Sequence, residues 1–198
     1  NMMKKISNFA SNMDTYIKFA KYMLQLVLAP TKGWEDISAS QLSPILLAQR
    51  CMLPLFGIAA LTVFIQLHYH EDVSISYYVI KAAVIFASYF VTYIMSPMVY
   101  ANNLGKYIDG EPNAKKYTTV VVYGLSLLAL STIICNLLPT ALGLTLLFTI
   151  GVTLILWKSS TYLFVKAEKN LRFAFFVFLS TVAIPFAIQA LFDWLLNA

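Results

Sequence analysis

Residues Tyr117 to Trp157 read YTTVVVYGLSLLALSTIICNLLPTALGLTLLFTIGVTLILW, an unbroken run without a charged side chain. As one helix it would measure about 60 Å, whereas a bilayer's hydrocarbon core is about 30 Å thick. The run must therefore fold back on itself. Proline disfavours helix geometry in its own turn and in the residue before it, and threonine is a good helix N-cap. Pro139 and Thr140 place the break near 136–140 and predict two membrane spans, about 117–136 and 140–162.

Three more apolar runs flank this stretch, and each is long enough to cross a membrane as a helix. They predict spans at about 48–69, 76–101 and 173–194. The second of these carries Lys81 one turn inside its start. Continuously apolar runs differ from the short alternating segments of a membrane β-barrel. We therefore predict an all-α, polytopic membrane protein with five transmembrane helices.

The composition agrees with this class. Of the 198 residues, 60% are hydrophobic and 12% are charged, against about 45–50% and 25% in soluble domains. We predict an N-terminal segment over residues 1–43 that is amphipathic and interfacial, and a transmembrane domain over 44–198. The net charge of +5 flanks the spans instead of forming a basic patch with interleaved aromatics, so nucleic acid is not expected as a partner.

The basic residues also predict orientation, because lysine and arginine favour the cytoplasmic side of short loops. Apart from Lys81, all of them fall on one side of the predicted spans: Lys4, Lys5, Lys18, Lys21, Lys32, Arg50, Lys106, Lys115, Lys116, Lys158, Lys166, Lys169 and Arg172. We expect a cytoplasmic N-terminus and an external C-terminus. The short N-terminal segment favours a bacterial inner membrane.

The N-terminal segment shows helical periodicity. Apolar residues recur at three- and four-residue spacing, at Ile6, Phe9, Met13, Ile17, Ala20, Leu24 and Val27. The opposite stripe holds Asp14, Lys18, Lys21 and Gln25. Such a helix can lie in the headgroup region and attract anionic lipid, or it can dock against the ends of the spans. Pro30 is expected to end it, and residues 30–37 are expected to form an interfacial turn anchored by Trp34.

That turn carries a recognisable pattern. Pro30, Trp34 and Ile37 follow a Pro-x-x-x-Trp-x-x-Ile spacing ahead of the five predicted spans, and in this the chain resembles the Yip family. The family is named for interaction with the small GTPases of vesicle traffic. The resemblance implies five spans, a cytoplasmic N-terminus and a non-enzymatic role.

Eukaryotic members of the family bind GTPases through longer N-terminal regions and carry an Asp-Leu-Tyr-Gly-Pro signature. The present sequence shows neither feature. It is more similar to the short prokaryotic branch of the family.

Two groups of residues are candidates for a site. His68, His70, Glu71 and Asp72 lie close together between the first two spans, and such side chains can bind zinc. The alternative is a polar external loop. Lys81, Gln66 and Gln189 fall within the predicted spans, where ionisable and amide side chains either line a functional path or hydrogen-bond between helices.

No catalytic set, phosphate-binding glycine loop or cofactor motif is evident in the sequence, so neither an enzyme nor a cofactor is predicted. We expect a scaffold or adaptor that binds lipid or protein partners, possible partners including other membrane proteins and a second copy of the chain. A small transporter or channel is the alternative, because prolines at positions 54, 97 and 185 could break the helices around a polar path.

Overall fold

The computed structural model describes residues 2–69, 73–138 and 142–197. Two helices, α1 (Met2–Leu28) and α2 (Pro30–Ser40), precede the bundle. Five further helical stretches are long and apolar enough to cross a membrane, which confirms the predicted all-α class and the number of spans. They are, in order, Pro44–His68, Ile75–Lys106, Ala114–Leu137, Gly143–Ser160 and Ala167–Leu195.

Several spans change helix type along their length. The first combines α-helix (Pro44–Leu47 and Leu53–Thr62) with a π-helical turn (Ala48–Met52) and a 3-10 end (Val63–His68). The second and fourth are α-helical over Ile75–Asn103 and Leu142–Trp157 and end in 3-10 turns at Leu104–Lys106 and Lys158–Ser160. The fifth runs through Ala167–Lys169 (3-10), Asn170–Val177 (α), Phe178–Val182 (π) and Ala183–Asn197 (α).

The third span is the centre of the bundle. In its most apolar window 67% of the residues are buried, against 22–33% in the other four spans. It contacts the first, second, fourth and fifth spans. A helix that is apolar on all sides is suited to such a position. The outward faces of the other spans expose large apolar side chains, including Ile94, Leu147 and Phe175, as expected for surfaces that meet lipid.

Both π-helical turns lie just ahead of a proline. Ala48–Met52 precedes Pro54, and Phe178–Val182 precedes Pro185. A proline inside a helix lacks an N–H and crowds the carbonyl four residues earlier, and a π-turn is one way to relieve that conflict. In the fifth span the Ser180 carbonyl accepts a 2.5 Å hydrogen bond from the Ser96 hydroxyl of the second span. A neighbouring helix thus supplies a donor to the altered turn.

The region expected to be a turn is instead helix α2. Pro30 occupies its first turn, and Gln41, at φ 50°, ends it in the left-handed region. The expectation was wrong because Pro30 and Gly33 suggested a chain reversal. Proline is well tolerated at the first helical position, and Gly33 allows α2 to approach α1 closely. A Cβ at Gly33 would lie 3.0 Å from the backbone nitrogen of Leu26.

Helix α1 packs on the bundle with a face other than the one predicted to be apolar. Thr15, Phe19, Met23 and Leu26 are buried. The described large members of the predicted apolar face remain exposed, namely Met13, Ile17, Leu24 and Val27. The side chains of Ile6 and Phe9 lie outside the described part. The helix therefore docks, which was one of the two alternatives, and its contact with the headgroup region remains a prediction.

Helices α1 and α2 lie at the same end of the bundle as residues 104–113 and 161–166. We call this the basic end, because the loops that carry lysine meet there. The loops pair through an isolated antiparallel bridge between Ile108 and Val165. An ion pair of 3.3 Å between Lys166 and Asp109 reinforces it. The connections between spans two and three and between spans four and five are thereby held together.

Candidate functional site

The three predicted intramembrane polar residues line one cavity. Gln66, Lys81 and Gln189 come from the first, second and fifth spans, and they surround a space of about 140 Å³ that we call the Lys81 cavity. The third span supplies Asn136 and the fourth supplies Thr149. Lys81 lies about 9 Å along the second span from its start at Ile75, so the cavity is inside the bundle and away from the basic end.

A chain of hydrogen bonds runs across one wall of this cavity. The Lys81 ammonium donates to the Gln66 amide oxygen at 3.4 Å. The Gln66 amide nitrogen donates to the Asn136 oxygen at 3.0 Å. The Asn136 amide nitrogen then donates to the Thr62 hydroxyl at 3.0 Å and to the Ala59 carbonyl at 3.4 Å. The chain joins the second, first and third spans, and Asn136 uses both ends of its amide.

A second set of polar contacts joins the opposite wall. The Gln189 amide nitrogen of the fifth span donates to the Ser88 hydroxyl of the second span at 3.0 Å. Tyr89 and Thr132 share a hydroxyl contact of 2.6 Å between the second and third spans. Among the described residues, the buried side-chain polar atoms without a partner lie outside this cavity. The amides of the cavity therefore hold helices together.

The chemistry available to the Lys81 cavity is that of binding. Its described lining offers an ammonium group, amides and hydroxyls, and none of those described residues carries a carboxylate. The volume accommodates several water molecules, but it is smaller than the roughly 300–1,000 Å³ of pockets for drug-sized ligands. The Lys81 ammonium also lies 5.6 Å from the centre of the Tyr77 ring. These groups suit a small solute with hydrogen-bond acceptors or a negative charge.

The sequence reasoning did not single out the hydroxyl residues of this cavity. Ser131, Thr132, Thr145 and Thr149 all line it. Serine and threonine are common inside membrane helices, where the hydroxyl bonds a carbonyl of the preceding turn; Thr149 does so to Thr145 at 2.7 Å. A usable signal was their spacing, because positions 131, 132, 135 and 136 fall on one helical face.

Trp34 and Ile37, two residues of the Pro-x-x-x-Trp-x-x-Ile pattern, hold α2 against the bundle. Trp34 is 0% exposed, and its indole N–H donates to the Ile155 carbonyl of the fourth span at 2.9 Å. Its ring stacks on Tyr162 with centroids 5.7 Å apart and meets the edge of Tyr123 at 6.2 Å. Ile37 is buried one turn later. Trp34 was expected to anchor the chain at the lipid boundary, and that was wrong: its anchor is protein.

The candidate metal residues are only partly described. His70, Glu71 and Asp72 lie outside the described residues. His68 is exposed and lies edge-on to Tyr69, with centroids 5.7 Å apart. Within residues 2–69, 73–138 and 142–197, no three histidine, cysteine or acidic side chains group closely enough to hold a metal ion.

Comparisons of the chain with models of known protein families, with curated proteins and with solved structures find no match.

Proposed function

We propose that this chain is a non-enzymatic scaffold or adaptor of a membrane, with the organisation of the short prokaryotic members of the Yip family. One observation carries the proposal. Helix α1 is docked through Phe19, Met23 and Leu26, yet a second apolar face containing Ile17 and Leu24 is exposed. A helix held in place by one face and apolar on another is built to contact something further.

Anionic lipid is the first partner of this surface. Lys18 and Lys21 are exposed on α1 beside its exposed apolar residues. Basic amphipathic helices bind membranes through burial of their apolar side chains and through attraction of their basic side chains to anionic headgroups. A 2.8 Å ion pair with Asp14 raises the pKa of the Lys18 ammonium, a group that is charged at neutral pH even at its ordinary pKa. Other membrane proteins, or a second copy of the chain, are further partners that such a face could take.

The concentration of lysine and arginine at the basic end supports a cytoplasmic location for that end. We therefore propose a cytoplasmic N-terminus, an external C-terminus and a bacterial inner membrane as the location.

Lipid contact by α1 can be tested with a fluorophore on Ile17→Cys in a background lacking Cys51 and Cys135. The full chain is placed in nanodiscs that contain lipids with brominated acyl chains. We expect strong quenching at position 17 and little at Glu35→Cys, an exposed and polar position on α2. Equal quenching at the two positions would remove lipid as the partner of α1.

Partner binding has its own test. Ile17→Ser with Leu24→Ser keeps the docked face intact and makes the exposed face polar. Cross-linking in native membranes should yield fewer adducts from the double variant than from the unaltered chain. Unchanged adducts would contradict the use of this face as a docking surface.

A transporter or channel is the second candidate, and the Lys81 cavity is the observation that favours it. The π-helical turns ahead of Pro54 and Pro185 interrupt regular α-helix, and irregular helices and a cationic side chain between spans are features of solute pathways. In proteoliposomes, Lys81→Gln should reduce anion flux, measured with chloride as the probe. Lys158→Gln, at the basic end, is the matched control. Absence of chloride flux in the unaltered protein would favour the scaffold.

A further inference from the structure

A second cavity lies at the basic end, far from Lys81. It has a volume of about 280 Å³ and lies between the end of α2 and the start of the third span. We call it the Lys115 cavity. Exposed polar residues form its mouth, among them Ser38, Gln41, Asn113 and Lys115, whereas buried Ile37, Leu47 and Tyr123 form its inner wall.

The charge in this cavity has one sign. Lys115 and Lys116 both line it, and no described residue of its lining carries a carboxylate. The Lys116 ammonium is already committed, because it donates to the Tyr162 carbonyl at 3.2 Å and lies 4.0 Å from the centre of the Phe164 ring. Lys115 is exposed at the mouth. The cavity thus has one lysine built into its wall and another placed at its opening.

The helix that starts at the cavity adds further donors. The third span begins at Ala114, and the Asn113 side chain caps it by accepting from the Lys116 N–H at 3.2 Å. The other N–H groups of a first helical turn have no acceptor within the helix, and they carry partial positive charge. This span has 24 residues. Its dipole therefore acts in the same direction as the two lysines.

Hydroxyl groups complete the lining. Ser38 and Ser40 come from the last turn of α2, and Thr119 comes from the second turn of the third span. The Ser40 and Thr119 hydroxyls already donate to the backbone carbonyls of Ile37 and Lys115, each at 2.8 Å. The hydroxyl of Tyr123, on the inner wall, is buried and has no hydrogen-bond partner among the described residues. Burial raises the pKa of the nearby Tyr162 phenol, a group that is neutral at physiological pH even at its ordinary pKa. Because the Tyr123 hydroxyl is sealed from the cavity, the Ser38 hydroxyl and the Lys115 ammonium are the side-chain donors that an anion would meet. Ammonium and hydroxyl donors are the usual environment of a bound phosphate.

We infer that the Lys115 cavity binds a phosphate-bearing anion, the headgroup of an anionic phospholipid being the source closest at hand. The cavity opens at the end of the spans, where headgroups lie. Its 280 Å³ holds a phosphate with its glycerol attachment but not two acyl chains, which stay in the bilayer. The inference rests on the lipid-binding role of the proposed function, but it uses residues that α1 does not supply.

The test is a calorimetric titration of the full chain in neutral detergent. The probes are dihexanoyl phosphatidic acid, dihexanoyl phosphatidylcholine and inorganic phosphate. We expect saturable one-to-one binding of phosphatidic acid. Lys115→Gln should weaken it about fivefold, the effect of one lysine near an anionic headgroup. Ser38→Ala should weaken it without any change of charge. Lys106→Gln, an exposed lysine of the same end that lies outside the cavity, should leave affinity within about twofold.

The probes distinguish a lipid headgroup from a soluble phosphate compound as the ligand, and the variants test whether the cavity is the binding site. Binding of phosphatidic acid alone assigns the site to lipid, and equally tight binding of inorganic phosphate assigns it to soluble phosphate compounds. The inference is overturned if neither phosphatidic acid nor inorganic phosphate binds saturably, or if Lys115→Gln and Lys106→Gln weaken binding equally. None of these outcomes depends on the quenching of a fluorophore at position 17, so the α1 surface and the Lys115 cavity can fail independently.

Discussion

Trp34 shows how one residue can connect distant parts of the chain. Its indole reaches the Ile155 carbonyl, a partner 121 residues away, and its ring lies between Tyr123 and Tyr162. A buried indole N–H usually has a hydrogen-bond acceptor, so a tryptophan in this position is held by both packing and hydrogen bonding. Its size and aromatic character could be read from the sequence. The partner could not, because the contact depends on how α2 folds.

Replacement of Trp34 by phenylalanine removes the hydrogen-bond donor together with part of the buried ring. Trp34→Phe keeps an aromatic ring but removes the donor, and we expect a loss of about 1–3 kcal/mol in the free energy of unfolding. The measurement is unfolding by denaturant in a fixed detergent. Trp194→Phe is the control, because that side chain is 66% exposed and its substitution should have an effect of about 0.5 kcal/mol or less. Equal losses in the two variants would show that the indole hydrogen bond contributes nothing.

Lys81, Gln66 and Gln189 illustrate a different limit of prediction from the sequence. Each was identifiable as a polar residue inside an apolar run. Their common cavity was not identifiable, because its walls come from all five spans and from positions more than 100 residues apart. Local patterns indicate which side chains are unusual in lipid. Only the packing of the helices decides whether such side chains meet.

Among the elements, the α1–α2 hairpin depends on a glycine. Gly33 allows the two helices to touch, and α2 then buries Trp34 and Ile37. The Gln25 amide donates to the Asp36 carboxylate at 2.7 Å and ties the same pair of helices. Glycine and proline lower helix propensity, which is why the segment was expected to be a turn. Tertiary burial outweighed local preference here, as it often does for short helices.

Gly33→Ala should therefore separate the hairpin. The new Cβ would lie 3.0 Å from the Leu26 nitrogen and 3.1 Å from its Cα, and backbone atoms inside a helix cannot move aside. We expect a cost of about 1–3 kcal/mol, with faster hydrogen exchange in residues 12–40 and unchanged exchange in the spans.

Gly57→Ala is the matched control for this substitution, since a Cβ there meets nothing within 4 Å. It should be neutral, or stabilising by up to about 1 kcal/mol. A Gly33 variant with the exchange pattern of the Gly57 variant would contradict the role given to the close approach.

For the whole molecule, the number of spans follows from charge-free runs, and the structure contains the five that were predicted. The break within residues 117–157 was needed because no single helix of that length fits a bilayer. Pro139 and Thr140, at which it was predicted, lie outside the described residues. The central position of the third span in the bundle was harder to predict from the sequence. All five runs are strongly apolar, and their order in space depends on which faces pack and which meet lipid.

Orientation remains a prediction that labelling can check. Lys106 lies at the basic end, and Tyr69 lies at the opposite end, beyond the first span. In a background without Cys51 and Cys135, we expect Tyr69→Cys to react with a membrane-impermeant maleimide added to intact cells. Lys106→Cys should react only after the membrane is opened. The reverse pattern would place the N-terminus outside, and it would contradict the orientation inferred from the positions of lysine and arginine.

The anchoring of Trp34 on the fourth span also has a consequence for biosynthesis. A ribosome makes about 5–20 residues per second, so the partner carbonyl, 121 residues downstream, emerges roughly 6–24 s after the indole. Throughout that interval the hairpin has no fourth span to receive it. Its final docking is thus a late step of assembly, after three spans have entered the membrane. Until then the nascent chain presents a large aromatic side chain to the machinery that inserts it.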